Sequence, residues 1–157
     1  MATEIERKYL VQIEAWQQAK ISAEHTHISQ AYLSLEAERT VRIRIKKEMA
    51  LLTIKGKTQG VSRLEFEYKI PFNDGLELLK ICQGSIIKKK RYVLSYDNLI
   101  WEVDEFEGDN AGLIVAEVEL DSEDQIVALP PWIKEEVSDD NRYYNANLVQ
   151  HPFKDWV

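Results

Sequence analysis

Residues 1–8 read Met-Ala-Thr-Glu-Ile-Glu-Arg-Lys, so that Glu4, Glu6 and Lys8 alternate with Ile5 and Arg7. On a β-strand, successive side chains point to opposite faces, and the two carboxylates and the ammonium therefore share one face. That grouping suits a divalent metal together with an anionic ligand. The stretch predicts a strand with a functional charged face.

The same alternation of charged and apolar residues recurs along the chain. It predicts strands over residues 4–12, 26–35, 39–47, 50–57, 63–69, 86–96, 99–106 and 113–120. Short helices are predicted over residues 14–21, from a cap at Asn73 or Asp74 to Gly84, over 132–137 behind Pro130 and Pro131, and over 142–149. The charged positions at period two are Glu4/Glu6/Lys8, Arg42/Arg44, Lys55/Lys57, Arg63/Glu65/Glu67, Lys89/Arg91, Glu102/Asp104 and Glu117/Glu119.

About eight strands in hairpin order form a sheet that usually curls or closes, because closure removes its edges. A solvated sheet face normally mixes in Ser, Thr, Asn and Gln, whereas here the polar positions are heavily charged and acidic and basic residues segregate by strand. We therefore predict an α+β fold, an eight-stranded antiparallel closed β-barrel (a tunnel) with a charged interior, flanked by several short helices. A single domain is expected to span residues 1–157.

The overall composition limits the class of protein. The chain has 157 residues, 27 acidic and 20 basic, for a net charge of −7, and one cysteine. Such acidity disfavours non-specific nucleic-acid binding, and no apolar run reaches the ~20 residues of a membrane span. A single cysteine excludes an internal disulfide and is compatible with a reducing cytoplasm. We expect a cytoplasmic protein with no nucleic-acid or membrane partner, and a homodimer stays open.

The charges also indicate the ligand. A single phosphate needs one helix N-terminus or one arginine pair, whereas six separate cationic groups suit a longer and more highly charged anion. These groups are Lys8, Arg42, Arg44, Lys55, Lys89 and Arg91. A site of carboxylates and phosphates without His or Cys favours Mg²⁺ or Mn²⁺.

The signature Glu4-x-Glu6-x-Lys8 resembles that of the CYTH, or triphosphate tunnel metalloenzyme, family. The resemblance covers nearly the whole chain and includes Arg42-x-Arg44, Leu52-Thr-Ile-Lys55-Gly, Arg63-x-Glu65-x-Glu67, Lys89-x-Arg91-Tyr, Trp101-Glu-Val-Asp104-x-Phe, Ala116-Glu-Val-Glu119-Leu and Asp140-x-Arg142-Tyr143. It implies a closed eight-stranded tunnel that processes triphosphates. Short bacterial members, which this chain resembles most, convert tripolyphosphate to pyrophosphate and phosphate.

The resemblance also implies roles for individual residues. The metal would be held by Glu4, Glu6 and Glu119, with Glu117 and Asp104 as further candidates. Catalytic roles fall to Lys8, Glu65, Glu67, Asp104 and Glu117, which would hold a second metal, order the attacking water or stabilise charge. The substrate would be bound by Lys8, Arg42, Arg44, Lys55, Arg63, Lys89, Arg91 and, at one tunnel mouth, Arg142.

Other functions on the same scaffold remain open at this point. The family also contains class IV adenylate cyclases and thiamine, RNA and other triphosphatases, although no nucleoside-reading motif is visible in the sequence. A non-catalytic polyphosphate-binding module is a further alternative, but a binder gains little from carboxylates close to phosphates. The sequence therefore predicts a Mg²⁺- or Mn²⁺-dependent triphosphatase acting on a small triphosphate, most simply tripolyphosphate.

Overall fold

The computed structural model describes residues 2–156, so the predicted domain limits Met1 and Val157 lie outside the described residues. The strands are β1 (Thr3–Val11), β2 (Glu24–Ser34), β3 (Arg39–Lys46), β4 (Met49–Gly56), β5 (Ser62–Ile70), β6 (Gln83–Tyr96), β7 (Leu99–Phe106), β8 (Ile114–Glu119) and β9 (Ile133–Glu136). The helices are α1 (Ile13–Ala19), α2 (Phe72–Lys80) and α3 (Asn145–Gln150), with short 3-10 turns at residues 20–22, 108–110, 141–143 and 153–155.

The strands close into a barrel. Their hydrogen-bonded order is β5-β4-β3-β2-β6-β7-β8-β1, every pairing is antiparallel, and a further β5–β1 pairing completes the circle. The predicted eight-stranded antiparallel barrel is confirmed, with β9 as one additional strand. Closure removes most of the unpaired strand edges that an open sheet of this size would expose.

The seam of the barrel lies along one edge of β1. The first part of this edge pairs with β5, Thr3–Ile5 opposite Ser62–Leu64, and the last part pairs with β9 around Tyr9 and Val11. The helix predicted over residues 132–137 is therefore wrong, because this segment forms β9. Pro130 and Pro131 suit a first helical turn, but the edge of β1 that β5 leaves free offers backbone partners that a local pattern does not reveal.

The structure confirms the predicted turn between β6 and β7 and contradicts the predicted cap and end of helix α2. The β6–β7 hairpin turns at Asp97 and Asn98, whose φ angles of 50° and 64° suit the two-residue turn predicted there. Helix α2, in contrast, starts directly after Pro71 without a side-chain cap and ends before Gln83. Gly84 has a φ of +71°, but it belongs to β6 and does not end the helix.

Apolar side chains lie on the outer face of the barrel and are partly covered by the helices. Trp16 of α1 is fully buried against Trp132 and Tyr92, in a cluster that also contains Trp101. A second cluster joins α3 to Ile87 of β6, Phe106 of β7 and Val115 of β8, which share the inner face of the barrel with the charged residues of these strands. Helix α2 packs on β3 and β4. The first cluster lies outside the strands and the second occupies part of the inner face next to α3, so the remaining interior is available for charged groups.

No helix among residues 2–156 is both long enough and apolar enough to span a membrane.

Candidate active site

Charged side chains from seven strands converge on one internal cavity of about 270 Å³. Successive side chains of a strand point to opposite faces, so the charged residues point into the barrel and most of the residues between them form its apolar outer face. The predicted charged interior is confirmed. The predicted site residues that line the cavity are Glu4, Glu6, Lys8, Arg42, Arg44, Lys55, Arg63, Glu65, Glu67, Lys89, Arg91, Glu117 and Glu119.

Opposite charges face each other across neighbouring strands. The sheet register places Lys8 opposite Glu117, and their side chains form an ion pair of 2.8 Å. Lys55 lies opposite Glu65 at 3.2 Å and also contacts Glu4 at 3.1 Å. Glu4 in turn accepts from Arg63 at 3.3 Å, which ties β1 to β5 at the seam. Buried charges are costly unless they are paired, and these pairs hold the interior together.

Like charges face each other along one wall, and these pairs have no structural use. Glu6 lies directly opposite Glu119, and Glu117 lies directly opposite Glu102. Burial and the nearby Glu117 raise the pKa of Glu6, and burial with Glu4 and Glu6 raises the pKa of Glu119. Directly opposed carboxylates destabilise a sheet, so a cation bound between them would offset their repulsion and stabilise the barrel.

The donor set of this wall fits a hard divalent cation. Glu4, Glu6 and Glu119 offer only carboxylate oxygens, the ligands that Mg²⁺ and Mn²⁺ prefer. Within residues 2–156, no three His, Cys, Asp or Glu side chains are already gathered as a closed metal cluster. The reason is visible in the contacts, because Glu4 turns to Lys55 and Glu6 turns to Lys8 at 3.0 Å. These residues would have to release their cations to bind a metal.

The opposite wall is crowded with cations. Burial and the neighbouring Arg42 and Arg91 lower the pKa of Arg44 to about 9. Burial lowers the pKa of Lys89 to about 7, against the attraction of Asp104, and Arg91 and Arg44 lower it further. Burial also lowers the pKa of Lys55. The loss of hydration and the repulsion between neighbouring cations both disfavour the charged forms of these side chains. An anion bound among them would offset both effects.

Two arginines still have donors available for such an anion. Arg44 donates through Nε to Gln30 Oε1 at 3.0 Å and makes no ion pair with any carboxylate of residues 2–156. The Nε of Arg42 is buried and has no hydrogen-bond partner among these residues. A buried donor without an acceptor is unfavourable, so both arginines point to an acceptor-rich ligand.

Asp104 differs from the other candidate metal ligands because it does not line the cavity. It is 1% exposed and lies behind the cations, accepting from Arg91 at 2.8 and 2.9 Å and from Lys89 at 2.7 Å. Burial alone would raise the pKa of Asp104, but Arg91 and Lys89 lower it to about 2. These contacts engage both carboxylate oxygens, so Asp104 fixes the direction of two cations, and its predicted roles in metal binding and catalysis stay predictions.

Arg142 is the other predicted residue that the structure places elsewhere. Its side chain is about half exposed, pairs with Asp140 at 2.6 Å and stacks over the Trp156 ring at 4.9 Å. It does not line the cavity, because the 3-10 turn before α3 directs it to the outer surface. The expectation that it binds phosphate at a tunnel mouth stays a prediction.

The cavity also has lining residues that sequence reasoning did not select. Glu102 shares a face of β7 with Asp104, but its spacing alone predicts no particular role for it. Tyr144 and Asn145, at the start of α3, cover one end of the cavity, and Asn145 Oδ1 accepts from Gln30 at 2.9 Å and from Lys89 at 3.0 Å. A neutral amide far along the chain has no periodic signal, so only the folded structure reveals it.

The fold and the site together define an antiparallel β-barrel with an enclosed interior built for polyanions and cations. The CYTH domain model matches residues 2–148, and the chain belongs to the CYTH domain family. It is 40% identical to an inorganic triphosphatase of Acetivibrio thermocellus over 99% of both chains. It is 33% identical to an inorganic triphosphatase of Nitrosomonas europaea, over 94% of this chain and 97% of the relative.

A solved structure agrees with these relatives. The crystal structure of an inorganic triphosphatase is 29% identical and superposes with a TM-score of 0.63, over 92% of this chain and 96% of that chain. The triphosphatases of this family are metal-dependent hydrolases of phosphoric anhydrides.

Proposed function

We propose that the protein hydrolyses inorganic tripolyphosphate to pyrophosphate and phosphate with the help of Mg²⁺ or Mn²⁺. The observation that carries this proposal is the group of six buried cations around one cavity of about 270 Å³. Six cations around one enclosed space are more than a single phosphate needs, and they suit a compact anion with several charges. Most of the lining side chains are charged, and Tyr32, Leu51, Tyr144 and Ala146 add a smaller apolar part.

Each cation in the cavity has a part in holding the phosphate chain. Arg42 and Arg44 have unused donors, and they are the first candidates to bind phosphate oxygens. Lys89 and Arg91 are fixed in direction by Asp104. Preorganised cations of this kind stabilise charge that develops on the transferred phosphoryl group without reorganising during the reaction.

The carboxylates divide into two groups by their contacts. Glu4, Glu6 and Glu119 would hold the metal, and Glu117 is a further candidate, although Lys8 already occupies it. When bound, a divalent metal supplies charge neutralisation to the phosphates and lowers the pKa of a coordinated water. Glu65 and Glu67 line the cavity on β5, the strand beside β1, where they would order the attacking water or hold a second metal.

The Lys8 ammonium lies between the carboxylates of Glu6 and Glu117. Burial alone would lower its pKa, but Glu117 and Glu6 raise it above the ordinary value, so this ammonium keeps its proton. A permanently charged group at this place is suited to stabilising negative charge, on the leaving pyrophosphate or on the transferred phosphoryl group, and not to acting as a base.

The test is a substrate panel with Mg²⁺, Mn²⁺ and Ca²⁺. We expect one phosphate and one pyrophosphate per tripolyphosphate consumed, at a higher kcat/KM than for ATP or thiamine triphosphate. Faster turnover of ATP or thiamine triphosphate would contradict the substrate assignment. Cyclic AMP formed from ATP would indicate a cyclase, and tight tripolyphosphate binding without turnover under any of the metals would indicate a binding module.

A further inference from the structure

Strand β5 has one edge that is only partly used. Its other edge pairs with β4 over Glu65–Ile70, but β1 covers the free edge only along Ser62–Leu64, and the Glu65 N–H then donates to the Ala2 carbonyl at 2.9 Å. Beyond that bond, none of residues 2–156 pairs with this edge. Because N–H and C=O groups alternate between the two edges of a strand, those of Glu67 and Lys69 point to the open one.

The outer face of the same segment is apolar and exposed. Leu64 is 54% exposed, Phe66 40% and Tyr68 53%. Ile54, which lies opposite Phe66 on β4, is also exposed. Together these side chains expose an area on the order of 400 Å², within the range of the largest apolar patch on a typical monomer, and such patches often mark interaction sites. An open strand edge beside an exposed apolar face tends to pair with another chain, so such an edge is usually covered or paired.

The charges of this segment specify what the partner is. Residues 67–69 read Glu-Tyr-Lys. If two copies pair antiparallel about a two-fold axis at Tyr68, Glu67 of each copy lies directly opposite Lys69 of the other. The backbone groups on the open edges then form two complete hydrogen-bonded pairs, and Tyr68 meets its own counterpart on the apolar face. A two-fold axis at Glu67 or at Lys69 would instead place like charges opposite each other.

We propose that the protein forms a homodimer through antiparallel β5–β5 pairing centred on Tyr68. The interface is isologous, as two-fold symmetry requires, and it covers both the open edge and the apolar face. Its area is small for a stable complex, so we expect association in the range of about 1–100 μM. Glu67 lines the cavity, and the dimer therefore brings Lys69 of each copy to the tunnel mouth of the other.

The first test measures the mass of the protein in solution by sedimentation velocity between about 1 and 100 μM. We expect dimers that dissociate on dilution. Lys69→Pro removes one edge donor without touching the β4 pairing and should give a monomer, whereas the matched control Lys69→Arg should still dimerise. A monomeric wild-type protein at every concentration, or a dimer that survives Lys69→Pro, would overturn the proposal. Circular dichroism checks that each variant is folded.

The second test asks whether the register is right. Lys69→Glu places two carboxylates opposite each other in the homodimer, and Glu67→Lys places two ammonium groups there, so each variant alone should be monomeric. Mixing the two variants restores opposite charges at both positions. Native mass spectrometry of the mixture, with one variant uniformly ¹⁵N-labelled so that the two chains differ clearly in mass, should then show a heterodimer. A mixture that stays monomeric would refute the pairing about Tyr68.

Discussion

At Arg44 the barrel keeps a buried guanidinium without a carboxylate partner, held in direction only by the amide of Gln30. The other five buried cations each contact at least one carboxylate. Arg44 is therefore the residue whose electrostatic cost is least compensated within the protein itself. Such a residue is expected to serve the ligand more than the fold.

Replacing Arg44 with alanine tests this assignment. We expect Arg44→Ala to lower kcat/KM for tripolyphosphate by about 100-fold, since one preorganised donor to the phosphates is lost. Stability should be retained or slightly raised, because a repulsive cation is removed. Steady-state kinetics and thermal unfolding measure the two effects. Lys57→Ala, an exposed lysine two residues beyond Lys55, is the control and should change kcat/KM by less than about twofold. Near-normal turnover by Arg44→Ala would refute the role.

Glu119 provides the complementary prediction on the acidic wall. Burial and the neighbouring carboxylates raise its pKa, so its charge costs stability at neutral pH. Glu119→Gln should therefore leave the unfolding midpoint at pH 7 equal or higher, while metal-dependent turnover falls by about 100-fold or more. The exposed Glu136→Gln of β9 is a matched control. Full activity of Glu119→Gln at saturating metal would count against its role as a ligand.

Asp104 should behave in the opposite way, since its charge supports the fold. Asp104→Asn leaves Lys89 and Arg91 without their common carboxylate and should cost about 3–5 kcal/mol at pH 7. Its folded pKa of about 2 lies below its ordinary 3.8, so the stabilisation is present above pH 4 and is lost as the pH falls towards 2. Urea unfolding at pH 7, 5 and 3 measures this. A difference between wild type and variant that does not shrink below pH 4 would contradict the assignment.

At the level of elements, the alternation of charged and apolar residues is enough to predict most of the strands. Strands such as β3 and β5, where every second residue is charged, were found within one or two residues of their observed limits. The exceptions depend on partners distant in sequence. β9 is a strand only because β1 has a free edge, and Asn145 enters the cavity only because α3 packs across β6. Likewise, alternation gives the face of β7 on which Asp104 lies but not the depth of its side chain inside the barrel.

The packing of α3 on β6 is tested at Gly84. This residue has a φ of +71°, and an added Cβ would lie 2.4 Å from Cγ1 of Val149 in α3. Gly84→Ala should therefore combine backbone strain with displacement of the helix, and we expect a loss of about 2–4 kcal/mol and a lower kcat. Gly108 has a φ of +63° but no atom within 4 Å of the added Cβ, so Gly108→Ala reports the backbone cost alone, about 1 kcal/mol. Equal losses for the two variants would show that the α3 contact is unimportant.

For the whole molecule, the interior charges imply that an anion stabilises the barrel. Tripolyphosphate in the presence of EDTA binds without metal-dependent turnover, and at 100 times its Kd it should add about 2.7 kcal/mol. For a protein of this size that corresponds to a rise in Tm of about 5–10 °C, measured by calorimetry. Sodium chloride at equal ionic strength is the control. A Tm that rises no more with tripolyphosphate than with chloride would contradict a polyanion-binding interior.

The ion pairs inside the barrel have a consequence for how the ligands enter. A phosphate oxygen that binds Lys8 or Lys55 competes with the carboxylates that already contact these ammonium groups, so binding is partly an exchange of counter-ions. Glu6 and Glu4 then lose part of their interaction with a cation, and a divalent metal can replace it. Binding of the polyanion therefore favours binding of the metal, and the reverse. By thermodynamic reciprocity, each of the two ligands strengthens the binding of the other by the same factor.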